Sequence, residues 1–93
     1  MKDNTEHIVK IAKALSDKTR VKMLREIAHK KSITCSEAEK IAHLAQPTVS
    51  HHLKILQDAG LLNSVKEGRF SIISINKKAF DVLGRGIDDI LNG

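Results

Sequence analysis

Apolar residues at Ile8, Ile11, Ala12 and Leu15 recur at i, i+3, i+4 and i+7, the spacing of one buried helical face. Asn4 stands where that helix needs a cap. Ser16 or Asp17 then caps a second helix, whose buried face carries Val21, Leu24, Ile27 and Ala28. His29, Lys30 and Lys31 bring cations to the negative end of its dipole. Ser36 and Glu39 have the spacing of a capping box, so a short third helix is expected to bury Ala38 and Ile41, with Ala42 beside them. His43-Leu44-Ala45 reads as a tight turn. Pro47, the chain's only proline, falls in the first turn of a fourth helix, where no backbone donor is needed. That helix runs over residues 46–59 and stops at Gly60.

Beyond Gly60 the pattern changes. Residues 61–66 and 70–75 are rich in branched residues and Phe, which predicts two strands joined through Glu67-Gly68-Arg69, with Gly68 free to take the positive φ of a hairpin turn. Helical spacing returns with Phe80, Leu83, Ile87 and Ile90, behind Asn76 as the expected cap. Gly84 and Gly86 weaken this last helix, each by roughly 1 kcal/mol relative to Ala. Either the helix frays there or another helix packs closely against it; close packing is favoured. The expected order is four helices, a two-stranded β-hairpin and a fifth helix: a mainly α, winged helix-turn-helix domain spanning residues 1–93, with the wing at 62–75.

The chain has 93 residues, enough for one domain with a small core that a partner subunit would help to stabilise. It has 16 Lys and Arg against 11 Asp and Glu, with a pI near 9.6. That excess points to a polyanion. Aromatic residues are only 2%, both Phe, which disfavours the stacking platforms that bind single strands. Duplex DNA is the expected partner. The apolar runs are too short to span a bilayer, no basic-then-apolar leader is visible, and a single cysteine cannot form an internal disulfide. A cytoplasmic protein without membrane contact is expected.

The stretch QPTVSHHLKILQDAG (46–60) carries the chemistry. At about 100° per residue, Val49, Leu53 and Leu56 form one apolar stripe bordered by His52. Ser50, His51 and Lys54 lie opposite, with Thr48 at the edge, and no carboxylate appears until Asp58. His51 and His52 point apart, whereas helical metal pairs sit at i, i+3 or i, i+4. A shared metal is therefore disfavoured. His52 is expected to be partly buried, holding a backbone carbonyl or the neighbouring helix. Gln46, Thr48, Ser50 and His51 can reach base edges or phosphates in a major groove, and Lys54 can reach the backbone. Lys66 and Arg69 at the hairpin tip suit phosphates or the minor groove.

The runs AKALSDKTRVKMLREI (12–27), QPTVSHHLKILQDAGLL (46–62) and KEGRFSIISI (66–75) resemble the ArsR family of bacterial winged-helix repressors, over residues 5–76. The resemblance implies a homodimer joined through the first and last helices and an inverted-repeat operator. It also implies repression until a small inducer, often a metal or metalloid ion, intervenes. By position, Gln46, Thr48, Ser50 and His51 match the residues such proteins place in the groove. The sensing half departs from the family. Metalloid-sensing members carry Cys-x-Cys in the third helix, but here Cys35 stands alone within SITCSEA (32–38). Zinc-sensing members pair carboxylates with histidines in the last helix, which here offers only Asp81, Asp88 and Asp89.

Cys35 has three readings: an inert, buried or half-buried neighbour of a helix cap, which is favoured; a reactive thiol; or a ligand with His43 or a residue of the other subunit. The leading expectation is a dimeric DNA-binding repressor released by an unidentified small inducer or redox signal, with no cofactor and no resident metal. The alternatives are a metal-responsive repressor using Cys35 with histidine, and a winged-helix interaction module that does not read DNA. An enzyme using Cys35 as nucleophile is disfavoured, because so small a domain leaves little room for a substrate pocket.

Overall fold

The computed structural model describes residues 4–93. Five helices and three strands follow one another as α1 (Thr5–Leu15), α2 (Lys18–Lys30), β1 (Ser32–Thr34), α3 (Cys35–Ala42), α4 (Gln46–Asp58), β2 (Leu62–Glu67), β3 (Phe70–Ile75) and α5 (Lys77–Asn92). The sheet is antiparallel in the order β1-β3-β2. It is a winged helix-turn-helix with a third strand that periodicity did not predict. A three-residue strand is too short to show an alternating pattern. It exists because Ser32, Ile33 and Thr34 pair with Ser74, Ile73 and Ile72 of β3, and Ile33 and Ile73 enter the core together.

That strand also moves the start of α3. The capping box is Thr34 with Glu37, not Ser36 with Glu39. The Glu37 N–H donates to Thr34 Oγ1 at 3.2 Å, and the Thr34 N–H donates to Glu37 Oε1 at 3.0 Å. Thr34 leaves the strand with the extended backbone an N-cap requires. Asp17, not Ser16, caps α2, accepting from the Arg20 N–H at 3.0 Å. Asn4 and Asn76 hold the N-cap positions of α1 and α5 without side-chain cap bonds. Instead, Asn76 Nδ2 donates to the Gly60 carbonyl at 2.9 Å, tying the start of α5 to the end of α4.

The core joins Ile11 and Ala14 of α1, Met23, Leu24 and Ile27 of α2, Ala38 of α3, and Val49, Leu53 and Leu56 of α4 to Leu61, Leu62, Ile73 and Ala79. The periodic faces were slightly misplaced. Ala14, rather than Ala12, is the buried alanine of α1, and Met23 is buried where Val21 is only half-covered and Ala28 is exposed. α1 and α2 each pack against several elements at once, so their buried arcs are wider than a single i, i+3, i+4 stripe.

The ends of α4 are sharply made. The Gly60 N–H donates to Gln57 and the Leu61 N–H to Leu56, a Schellman closure that needs the positive φ of +78° at Gly60. Leu56 and Leu61, the two ends of that closure, are both fully buried. The β2–β3 hairpin runs from Leu62↔Ile75 to Glu67↔Phe70, leaving Gly68 and Arg69 as its two-residue tip, with Gly68 at φ +61°.

Candidate nucleic-acid interface

Val49, Leu53 and Leu56 anchor α4 in the core and fix its rotation. The opposite face is open: Gln46, Thr48, Ser50, His51 and Lys54 are all exposed. Gln46 Nε2 donates to Ser50 Oγ at 3.2 Å, so these two side chains are preset beside one another. Lys54 Nζ lies 3.5 Å from Asp58 Oδ2, with the side chains 74% and 53% exposed. A pair so open contributes little, and a DNA phosphate can replace Asp58. Ala45, at the N-cap, has no side-chain acceptor, which leaves the positive end of the helix dipole open to an outside anion.

The hairpin projects beside α4. Ser50, Leu53, Lys54 and Gln57 of α4 share a cleft of about 340 Å³ with Ser64 and Ser71 of the wing. Lys66 and Arg69 stand exposed near the tip. Thus Ser50 and Lys54 adjoin the wing where Ser71 is paired with Lys66, whereas Arg69 sits at the tip and Gln46 at the start of α4. Sequence reasoning passed over Val65 and Phe70, which leave more than half their surface exposed next to the basic tip. The sequence marks them only as apolar neighbours of the basic turn, Val65 before Lys66 and Phe70 after Arg69.

His51 and His52 have ring centroids 6.2 Å apart and planes tilted by 48°. His52 is half-buried and engaged by Arg20 of α2, whose Nη1 donates to His52 Nδ1 at 3.1 Å. The same guanidinium donates from Nε to the Ala14 carbonyl at 2.7 Å and from Nη2 to the Lys13 carbonyl at 3.2 Å. Nothing in the helical periodicity of α2 marks Arg20, because its partners lie in two other helices.

Cys35 is the first residue of α3, half-buried, with its thiol free, and it lines the cleft between α4 and the wing. Among the described residues no three His, Cys, Asp or Glu side chains gather where they could hold a metal ion. Two carboxylates are shifted. The Arg20 backbone N–H donates to Asp17 and holds its carboxyl below the usual range, and the positive charge of Arg20 adds to this. The Thr34 backbone N–H does the same for Glu37. Both shifts report helix caps rather than acid–base chemistry. Among the described residues no helix is long and apolar enough to cross a membrane.

Comparison with known proteins agrees with this geometry. A helix-turn-helix domain family matches residues 15–65, more than half of the chain. The uncharacterized HTH-type transcriptional regulator YceK of Bacillus subtilis is 32% identical over 82 residues, covering 86% of this chain and 82% of YceK. The arsenical resistance operon repressor of Staphylococcus xylosus is 31% identical over 80 residues, 86% of this chain and 76% of the repressor. A homolog of the cadmium resistance regulator CadC from Staphylococcus aureus is 32% identical over 75 residues, 81% of this chain but 62% of that protein. Among solved structures, an ArsR-like regulator from Rhodococcus superposes with a TM-score of 0.85 at 25% identity, over 94% of this chain and 81% of that one. The homodimeric winged helix-turn-helix domain of a possible ArsR-family regulator from Mycobacterium bovis superposes at 0.76 with 17% identity, over 95% and 81%.

A helix pair presenting a polar, carboxylate-poor face beside a projecting hairpin defines a winged helix-turn-helix DNA-binding regulator of transcription. Within that class, the chain belongs to the ArsR family.

Proposed function

We propose that the protein is a homodimeric repressor that reads an inverted-repeat operator, with α4 in the major groove and the wing on the backbone or minor groove. The observation that carries this reading is the outward face of α4. It is exposed over Gln46, Thr48, Ser50, His51 and Lys54, free of carboxylates until Asp58, and continuous through a cleft with a hairpin bearing Lys66 and Arg69. Gln46, Thr48, Ser50 and His51 reach base edges or phosphates; Lys54, Lys66 and Arg69 contact phosphates. Dimerisation is supported by the exposed apolar side chains of α1 and α5: Val9, Val82, Ile87, Ile90 and Leu91. The homodimeric M. bovis relative supports it further.

The releasing signal is a small inducer or a redox change rather than a metal ion, whatever the S. xylosus and S. aureus relatives answer to. Cys35 is a lone thiol, and α5 offers Asp81, Asp88 and Asp89 without a histidine. The test is a titration against duplex DNA from the chain's own upstream promoter, beside a scrambled duplex. It is run at two salt concentrations, with and without zinc, cadmium and arsenite. Tight promoter binding, steeply weakened by salt and indifferent to the ions, is expected. Release by one ion would make Cys35 and histidine a sensing site. Equal binding to both duplexes would leave a protein-interaction module.

A further inference from the structure

Arg20 links three helices through one side chain. Its backbone N–H is held by Asp17, the cap of its own helix α2. Its Nε closes the C-terminus of α1 on the Ala14 carbonyl, an acceptor that a helix end leaves without an intrahelical donor, and its Nη2 joins the Ser16 N–H and hydroxyl on the Lys13 carbonyl. Its Nη1 reaches His52 on the recognition helix α4. A guanidinium has only donors, so His52 Nδ1 must present its lone pair. The hydrogen-bond network therefore assigns His52 the neutral form with its proton on Nε2. His52 lies one residue from His51 and two from Ser50, both on the groove-facing side. A small rotation of α4 about its axis would carry both away from their targets.

We propose that Arg20 and His52 are positioning residues for operator reading: within the orientation that the buried stripe of α4 fixes, the guanidinium, seated on the end of α1, holds the fine rotation of α4 through neutral His52. The inference rests on the DNA-reading function proposed above. A shift of α1 moves the Lys13 and Ala14 carbonyls and, through Arg20, moves the reading helix. Protonation of His52 turns Nδ1 into a donor facing a donor and sets a cation against Arg20. The charged groups facing His52 are Arg20 and Asp17 of α2, with His51 beside it on α4. α1 contributes the carbonyls that seat Arg20. Among the described hydrogen bonds and ion pairs, no group of α3 or β2 engages His52. Asp17 opposes the charge repulsion but cannot restore the lost acceptor.

The experiment compares operator and scrambled-duplex affinity of the full chain between about pH 8 and pH 5.5, across the range where imidazoles ordinarily titrate. His51→Gln serves as the background, so that His51 does not titrate. In that background operator affinity is expected to fall as the pH drops, while scrambled-duplex affinity does not. Adding His52→Asn, which keeps an acceptor near the Nδ1 position and cannot titrate, should preserve operator affinity at high pH and flatten the profile. Arg20→Lys, which cannot reach three acceptors at once, should lower operator affinity about tenfold, the scale of one lost charge-assisted hydrogen bond. Scrambled-duplex affinity and melting temperature serve as controls for folding.

The ¹⁵N shifts of the His52 ring should show Nδ1 unprotonated in the free protein. An Nδ1-protonated ring, or a His52→Asn variant that keeps the same pH slope as its background, would overturn the inference. Failure of the wild-type protein to distinguish the two duplexes would instead overturn the DNA-reading function, and the positioning role with it. The ring shifts would still report whether the tie to Arg20 exists.

Discussion

The outward face of α4 and the outward face of α5 have opposite characters. α4 buries Val49, Leu53 and Leu56 against the core and turns short polar groups and Lys54 to water. α5 buries only Ala79 and Gly86, and leaves Val82, Ile87, Ile90 and Leu91 exposed. The first surface is finished within one chain: its apolar stripe is satisfied, and what remains suits a hydrated polyanion. The second is unfinished, because apolar side chains left in water gain by being covered. On the proposed function, the first surface would meet DNA and the second a second copy of the chain.

The largest break in this contrast should come from charging the α5 face. Ile90→Glu with Leu91→Glu removes two side chains whose burial would contribute roughly 1.5–3 kcal/mol each. Self-association measured by sedimentation should weaken at least about a hundredfold while the helical circular dichroism persists. A protein that remains associated would place the dimer contact elsewhere.

The two α5 glycines sharpen the comparison. A Cβ at Gly86 would meet Ile8 Cδ1 and Asn4 Nδ2 at 3.1 Å each, whereas one at Gly84 would meet nothing within 4 Å. Gly86→Val should lower stability by about 1–3 kcal/mol through overpacking against α1. Gly84→Ala should raise it by about 0.5–1 kcal/mol through helix propensity. Thermal melts at matched protein concentration check both signs.

On the α4 side, His51→Ala should cost about 1–3 kcal/mol of operator binding and much less of scrambled-duplex binding. Lys54→Ala, Lys66→Ala and Arg69→Ala should each weaken both duplexes alike and reduce the salt slope by about 1. Salt-dependent titrations separate the two kinds of effect. Three lysine and arginine variants without any change would favour an interaction module.

The smallest effect is at acid pH. Asp17 and Glu37 titrate below the usual carboxylate range because backbone N–H groups hold their ionised forms. A depressed folded pKa contributes stability that is present above the unfolded value, near 4, and lost as the pH falls through the folded one. Melting temperature should therefore decline below about pH 4, with a smaller decline in Glu37→Gln.

Much of this was legible from short-range pattern. Pro47, Gly60 and the Val49-Leu53-Leu56 stripe delimit and orient α4 through rules acting within a few residues, and Gly68 marks the wing tip in the same way. The polar face of α4 was legible because it is what the stripe leaves over. Misplacements came where local rules allowed two answers. Thr34–Glu37 and Ser36–Glu39 have identical capping-box spacing, and Ser16 and Asp17 are both competent caps. Ala12 and Ala14 differ only in which side of α1 the other helices approach.

The set of helices, the turns between them and the class of residue each presents to water therefore follow from short-range pattern, since periodicity, proline and glycine act through neighbouring backbone. Tertiary structure alone decided that residues 32–34 pair with β3, that Thr34 rather than Ser36 begins α3, that Gly86 but not Gly84 is pressed by α1, and that Arg20 meets His52. Each of those outcomes depends on groups far apart along the chain. Their energies exist only once the core has brought them together.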